Sequence, residues 1–175
     1  LVPQITAIVV NGGGIQRSML KSIELVMDSD ISPSLQDTDV RILDRDSGLL
    51  IDTADVQLDW ILATKTLTLS FPGLPGGSLP DGNYRVIIEN GALSALGIDL
   101  DGDGDGVPGG VFQFDFHRFF GDSTGNRTVD TLDGYNFRIS YNATFGSPAY
   151  RAAFDFNSDG AINLTDRAAF EANFR

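Results

Sequence analysis

Seven short apolar segments separated by turn residues occupy the first two thirds of the chain. They are rich in Val, Ile, Leu and Phe, and several alternate apolar and polar residues with a period of two, as strands with one buried face do. No stretch with helical periodicity lies between them. The pattern predicts an antiparallel, Ig-like β-sandwich over residues 1–117. Its expected strands span residues 5–10, 22–28, 39–43, 55–61, 66–71, 84–89 and 111–116.

After His117 the period of the apolar residues changes. Leu132, Tyr135 and Ile139 follow one another at spacings of three and four, which is typical of an α-helix. A serine followed by proline at 147–148 is a favourable helix start. The sequence therefore predicts a second, α-helical domain over residues 118–175 that packs against the sandwich. Its expected helices span residues 131–141, 147–154 and 164–174.

Composition excludes several classes of function. The chain has no cysteine, which rules out disulfides, thiolate metal sites and cysteine nucleophiles. Its 24 acidic and 12 basic residues give a net charge of −12, which argues against a nucleic-acid partner. No apolar run reaches the roughly 20 residues of a membrane-spanning helix, so we expect no membrane insertion.

The acidic residues are nearly all aspartates. Three of the 24 are Glu (Glu24, Glu89 and Glu171), and the other 21 are Asp. Asp is the shorter carboxylate, and it favours tight turns and loops. Oxygen ligands on such loops are those that hard cations such as Ca²⁺ prefer.

A twelve-residue polar segment occurs twice in the C-terminal third. DFNSDGAINLTD at 155–166 aligns with DSTGNRTVDTLD at 122–133, which lies 33 residues earlier. Both fit a calcium loop in which positions 1, 3, 5, 7, 9 and 12 supply oxygens. The predicted ligands are Asp155, Asn157, Asp159, the Ala161 carbonyl, Asn163 and Asp166 in one loop, and Asp122, Thr124, Asn126, the Thr128 carbonyl, Asp130 and Asp133 in the other.

The two loops differ at position 6. Gly160 permits a sharp backbone turn there, whereas the earlier loop has Arg127, so we expect weaker or more hydrated binding in that loop. Val129 and Ile162, at position 8, are expected to pair in a short strand-like contact. The alternative interpretation is that both segments are polar turns with helix caps at Asp130 and Asn163.

A third acidic cluster precedes the last expected strand. Its carboxylates alternate along the chain at Asp99, Asp101, Asp103 and Asp105. The spacing suggests a third calcium loop, although position 12 lacks an acid from either start. A remote carboxylate, Asp115 or Glu89, could complete it. The alternative is a solvated hairpin turn, in which Asp-Gly is common.

The duplicated loop, each copy ending in Asp and followed by a helical pattern, resembles the type I dockerin domain over residues 119–175. The preceding part is similar to Ig-like modules of large secreted bacterial proteins. The resemblance implies two Ca²⁺ ions, an extracellular or cell-surface location, and either a cohesin-like partner or packing on the chain's own sandwich. In that family, loop positions 10 and 11 contact the cohesin; here these are Thr131-Leu132 and Leu164-Thr165.

Catalytic motifs are absent from the sequence. His117 is the single histidine, and neither a phosphate-binding glycine loop nor a G-x-S-x-G motif occurs. We therefore expect a monomeric, non-enzymatic calcium-binding module. The alternative is a carbohydrate-binding or accessory module of a secreted polysaccharide-degrading enzyme, with its aromatic candidates being Trp60, Tyr84, Tyr135, Tyr141 and Tyr150.

Overall fold

The computed structural model describes all 175 residues, with nine β-strands and two α-helices. The strands are β1 (Ile5–Val10), β2 (Ser22–Met27), β3 (Val40–Asp44), β4 (Gln57–Ile61), β5 (Thr66–Ser70), β6 (Gly82–Ile88), β7 (Ser94–Ala95), β8 (Ile98–Asp99) and β9 (Phe112–Arg118). The helices are α1 (Thr131–Ser140) and α2 (Leu164–Asn173). All seven strands expected from the sequence are present, and the short β7–β8 ribbon is an addition.

The strands form a β-sandwich. One sheet has the order β1-β2-β5-β4, the other has the order β3-β6-β9, and all neighbouring strands are antiparallel. Alternate residues of β2 and β6 are buried, which is the period-two pattern that the sequence shows. Both sheets contribute to one core of 20 buried residues. Within it, the rings of Tyr84 and Phe116 stack with centroids 5.5 Å apart.

The prediction of an α-helical, dockerin-like or EF-hand-like second domain is wrong. The chain is mostly β, and its α-helices are limited to two of ten residues each. Residues 147–154 contain only a short 3₁₀ turn at Ala152–Phe154. The N–H groups of Ser147 and Tyr150 donate to the carbonyls three residues earlier, which makes isolated turns and no α-helical ladder. Just before them, the N–H groups of Asn142 and Phe145 donate to Ile162 and Gly160. Neither helix has the length or apolar character to cross a membrane.

The apolar stripe expected on α1 faces solvent. Leu132, Tyr135 and Ile139 are 56, 64 and 43% exposed. Phe137 is buried instead, and its ring contacts those of Phe154 and Phe170, with centroids 5.4 and 4.5 Å apart. The aromatic contact of Phe137 therefore sets the rotation of the helix, and the spacing of Leu132, Tyr135 and Ile139 does not.

A second core joins residues 118–175 to one end of the sandwich. Its seven buried residues include Met19, which lies between β1 and β2. Arg118 is almost fully buried, pairs with Asp81 at 2.6 Å, and lies over the rings of Phe120 and Phe156. The joined surfaces approach closely: a Cβ on Gly76 would lie 2.5 Å from the carbonyl oxygen of Phe156.

Candidate calcium loops

The first carboxylate of the loop at 155–166 is buried and held by backbone groups. Asp155 is 1% exposed. Its Oδ1 accepts from the N–H of Asp159 (3.1 Å), and its Oδ2 accepts from the N–H of Gly160 (2.9 Å). The Tyr150 hydroxyl also donates to Oδ2, at 2.6 Å. The loop thus folds around its first carboxylate through loop positions 5 and 6.

The loop at 122–133 has the same arrangement. Asp122 is fully buried, and its Oδ1 accepts from the N–H groups of Gly125 (2.6 Å) and Asn126 (3.1 Å). Its Oδ2 accepts from the N–H of Arg127 (3.1 Å) and lies 2.9 Å from His117 Nε2. Burial raises the pKa of Asp122, but the hydrogen bonds from His117 and the backbone outweigh it and lower the pKa below its ordinary value.

The closing carboxylates are buried as well. Asp133 and Asp166 have no exposed surface, and each is the third residue of its helix. They accept from the N–H groups of Asp130 (3.1 Å) and Asn163 (2.7 Å), whose own side chains accept from the helix backbone. These capping boxes confirm the predicted caps at Asp130 and Asn163. The capping boxes use Oδ2 of each carboxylate. Oδ1 of Asp133 accepts from the N–H groups of Ser123 (2.9 Å) and Thr124 (3.2 Å) and from the Ser123 hydroxyl (2.7 Å), and Oδ1 of Asp166 accepts from the N–H of Phe156 (2.7 Å).

Positions 4 and 6 of both loops have a left-handed backbone. The φ angles are 74° and 73° at Gly125 and Arg127, and 56° and 85° at Ser158 and Gly160. A non-glycine residue costs about 1–2 kcal/mol in this conformation. Arg127 adopts it, and its Nε donates to His117 Nδ1 at 3.2 Å. The arginine at the expected glycine position is therefore compatible with the loop.

The remaining predicted ligands lie at the open side of each loop. Asn157 and Asp159 are exposed and Asn163 is half-buried, with Asn157 Nδ2 donating to Asp159 Oδ2 at 2.9 Å. In the other loop, Thr124 and Asp130 are half-buried, whereas Asn126 and Thr128 are exposed. The position-7 carbonyl oxygens, on Thr128 and Ala161, accept no hydrogen bond from the protein. Both loops therefore offer an acceptor that the fold itself does not use.

Charge is uncompensated in the loop at 155–166. None of the six ion pairs of the chain involves this segment. Burial raises the pKa of Asp166, and the negative charges of Asp155 and Asp159 raise it further. Burial and the hydrogen bond to Asp155 raise the pKa of Tyr150 to about 12. These carboxylates repel one another, and no basic side chain forms an ion pair with them.

The third acidic cluster has the backbone of the other two loops. Asp101 is 3% exposed and accepts from the N–H groups of Gly104 (2.7 Å), Asp105 (3.1 Å) and Gly106 (2.9 Å). Gly104 and Gly106 are left-handed, with φ of 77° and 86°. Oxygens of Asp101, Asp103 and Asp105 lie within 4.8 Å of one another. Asp101 therefore occupies position 1.

This register leaves out Asp99 and leaves the third loop without a closing carboxylate. Asp99 lies on β8, opposite Ser94, and precedes the loop. Neither remote carboxylate considered from the sequence is free, because Asp115 pairs with Arg85 and Glu89 with Arg41. Position 12 is Phe112, which belongs to β9.

The expected pairing of the two position-8 residues is wrong. Val129 forms a bridge with Phe174 at the end of α2, and its carbonyl accepts from the N–H of Arg175. Ile162 exchanges backbone hydrogen bonds with Asn142 and Ala143. Both residues are buried, but each is paired with the chain that follows a helix. The two loops therefore do not contact each other through position 8.

Two side chains outside the predicted ligand sets contact the loops. His117 and Tyr150 each lie five residues before the first carboxylate of a loop and contact that carboxylate. The sequence signal was present, because the two residues are also 33 positions apart. Extending the repeat upstream of Asp122 and Asp155 would have found it.

Comparison with known proteins gives little guidance. No protein-family model matches the chain, and no curated protein matches it. Among solved structures, it is similar to a chain from a type II cohesin–X–dockerin complex of Acetivibrio cellulolyticus, an N-terminal interface mutant. That similarity has 12% sequence identity and a TM-score of 0.31, and covers 81% of this chain and 84% of that chain. A TM-score this low carries no argument about function.

Proposed function

We propose that the chain is a non-enzymatic, extracellular calcium-binding module. In this proposal, two Ca²⁺ ions stabilise the loops at 122–133 and 155–166 and hold residues 118–175 on the β-sandwich. The role of the metal is structural. Sites of this kind are filled at millimolar extracellular calcium and do not respond to micromolar signals.

The observation that carries the proposal is the pair of buried carboxylates in each loop. Asp155 and Asp166 are at most 1% exposed, and neither has a basic partner. Asp122 and Asp133 are fully buried as well, and His117 contacts Asp122 as a hydrogen-bond partner. Aspartate is almost never fully buried unless it is paired or binds a metal. A divalent cation in each loop would offset both charges.

The donor set fits calcium. Every candidate ligand is an oxygen, and Ca²⁺ takes six to eight oxygen ligands from carboxylates, amides and backbone carbonyls. The buried carboxylates at positions 1 and 12 would hold the ion from within each loop. Asn157, Asp159 and the Ala161 carbonyl would hold it from the open side in one loop, and Thr124, Asn126 and the Thr128 carbonyl in the other.

Both loops also touch the sandwich, which supports a clasp between the two parts of the chain. The carbonyl of Asp122 accepts from the N–H of Arg17 at 2.8 Å. In the other loop, the Ser158 hydroxyl donates to the carbonyl of Gly76 at 3.1 Å, and Lys21 Nζ donates to Ser158 Oγ at 2.9 Å. The second core of seven buried residues is too small to fold alone without such support. Ordering the loops with calcium would therefore stabilise their contact with the sandwich.

We restrict the proposal to the two loops that have a closing carboxylate. The loop at 101–106 brings three carboxylates together, but Asp101 and its neighbours are the whole of its acidic set. Calcium in that loop stays a prediction from the sequence. An Asp103→Asn variant tests it, because a third binding event at this loop would disappear in the variant.

Neutralising the closing carboxylates tests the two sites separately. Asp166→Asn and Asp133→Asn are each expected to remove one binding event from a calcium titration and to leave the other within about twofold in Kd. The reason is that closure of the loop by a carboxylate supplies much of the ligand charge. Asp37→Asn, at an exposed position with no hydrogen-bond partner, is the matched control. Two unchanged binding events in both loop variants would contradict the assignment of the loops.

Binding of a partner is the finer part of the proposal. It is supported by the exposed apolar residues of the helices, Leu132, Tyr135 and Leu164, and by the dockerin resemblance of the loops, whose family binds cohesins. A panel of cohesin domains tests it by calorimetry, with and without calcium. We expect binding in calcium that a Leu132→Asp, Leu164→Asp double variant abolishes. No binding across the panel would limit the function to the intramolecular clasp.

The carbohydrate-binding alternative gains no support from the aromatic candidates. Tyr84 is buried in the sandwich core, with its hydroxyl donating to the carbonyl of Pro80. Trp60 is half-buried on β4 and packs against the same core. Tyr135 is exposed on α1, and no two of the five candidate rings stack on each other. Core packing therefore accounts for Tyr84 and Trp60, and Tyr135 is the exposed ring of these three.

A further inference from the structure

In each loop, a histidine or tyrosine side chain contacts the buried first carboxylate from the same position in the repeat. His117 contacts Asp122 and Tyr150 contacts Asp155, each across five residues of chain. In both loops the ring contacts Oδ2, which also accepts from the N–H at loop position 6. Oδ1 accepts from the N–H at loop position 5 in both. These contacts are thus repeated at the same two oxygens with two different side chains, and the N–H of Gly125 is an additional donor to Asp122 Oδ1.

We propose that His117 and Tyr150 are the positioning residues of the two calcium loops. Each orients the position-1 carboxylate by donating a hydrogen bond to one of its oxygens, and this rests on the calcium binding proposed above. Side chains that hydrogen-bond to a metal ligand fix its orientation, and their loss typically lowers metal affinity about 10–100-fold. The two residues would therefore affect affinity without touching the metal.

His117 is itself held in one orientation. Arg127 Nε donates to its Nδ1 at 3.2 Å, so the ring hydrogen lies on Nε2 and points to Asp122. The ring also packs against Phe119, with centroids 5.6 Å apart. Arg127 thus links loop position 6 to the first carboxylate through the histidine. This link accounts for an arginine where the other two loops have glycine.

Tyr150 is held by different contacts. Its ring packs edge-on against Phe145, with centroids 5.7 Å apart, and its hydroxyl approaches Asp155 to 2.6 Å. Phe145 is fixed in turn by the hydrogen bond from its N–H to the carbonyl of Gly160, inside the loop. The two positioning residues also differ in where they come from: His117 lies on β9 of the sandwich, and Tyr150 lies between the loops.

Removal of one hydroxyl gives the sharpest test. Tyr150→Phe keeps the ring packing and deletes only the donor, so we expect about a 10-fold higher Kd for the loop at 155–166 and a Kd within twofold at 122–133. The Kd of the loop at 155–166 is measured by calorimetry in the Asp133→Asn background, and the Kd of the loop at 122–133 in the Asp166→Asn background. Tyr135→Phe, on an exposed ring, is the matched control. The Tm of the calcium-free Tyr150→Phe protein should change by no more than that of this control.

The role of His117 is tested with two substitutions, one that removes the hydrogen-bond donor and one that restores it. His117→Phe removes the donor and should raise the Kd of the loop at 122–133 about 10–100-fold. His117→Gln restores an N–H donor and should recover most of that affinity, which a merely structural histidine would not predict. An unchanged Kd in Tyr150→Phe, or equal weakening of both loops together with a lower calcium-free Tm, would overturn the inference. A wild-type protein that binds no calcium would instead overturn the proposed function.

Discussion

Chelation of calcium is expected to lower the Tm of the protein by about 10–20 °C. A ligand present at 100 times its Kd stabilises the folded state by about 2.7 kcal/mol for each site, so two sites contribute about 5 kcal/mol. For a chain of this size, each kcal/mol moves Tm by about 2–4 °C. Differential scanning calorimetry in excess EDTA and then in excess calcium measures the shift.

The matched control for this shift is the Asp133→Asn, Asp166→Asn double variant. Because it lacks both closing carboxylates, its Tm should be the same in EDTA and in calcium to within about 2 °C. Magnesium at the same concentration is a second control, since Mg²⁺ demands near-octahedral geometry and sheds its water reluctantly. A shift that persists in the double variant would place the calcium elsewhere.

Loss of Asp81 is expected to weaken the contact between the sandwich and residues 118–175 and to destabilise the whole chain. Its Oδ1 accepts from Arg118 Nη1 and from the N–H of Phe120, and its Oδ2 accepts from Asn173 Nδ2 at 2.7 Å. Asp81→Ala leaves a guanidinium that is 3% exposed without a counter-charge. Breaking a buried pair costs about 3–5 kcal/mol; because the carboxylate is 38% exposed, we expect about 2–4 kcal/mol.

Chemical denaturation of Asp81→Ala, in calcium and in EDTA, measures this loss. The destabilisation should occur in both conditions, since the Asp81 contacts lie between the sandwich and α2 and not inside a calcium loop. Asp37→Ala, at an exposed carboxylate without hydrogen bonds, should change the free energy of unfolding by less than about 0.5 kcal/mol. A loss of similar size in both variants would contradict the role of Asp81 in joining the two parts.

The sandwich strands could be predicted because their signal is local. Alternation along Ser22–Met27 and Gly82–Ile88 reflects one buried face, and turn residues mark where each strand ends. The positions of the loop carboxylates could be predicted for the same reason. Asp155 and Asp166 are recognised from spacing within twelve residues, and no distant contact is needed to place them on one loop.

The rest depended on contacts between distant residues. Residues 147–154 have a good helix start, but hydrogen bonds to Gly160 and Ile162 hold the preceding backbone in another conformation. The apolar spacing indicates α1 but does not show which face is buried, because Phe137 packs on Phe154 and Phe170, which come later in the chain. These tertiary contacts override local periodicity.

The register of the third loop could not be predicted from the sequence. Four alternating aspartates from Asp99 to Asp105 do not reveal which of them is position 1. The left-handed backbone at Gly104 and Gly106, which matches positions 4 and 6 of the other loops, fixes it as Asp101. The glycine spacing alone does not distinguish the two starts, because a start at Asp99 would place Gly102 and Gly104 at the same two positions.

Titration of calcium into the chelator-stripped protein by isothermal calorimetry tests the central claim most directly. Binding to the loops at 122–133 and 155–166 predicts at least two sites in the wild type, each lost in the variant of its own closing carboxylate, Asp133→Asn or Asp166→Asn. If no heat of binding is found and Tm is the same in EDTA and in calcium, the two segments are polar turns with helix caps, and the calcium-dependent function is wrong.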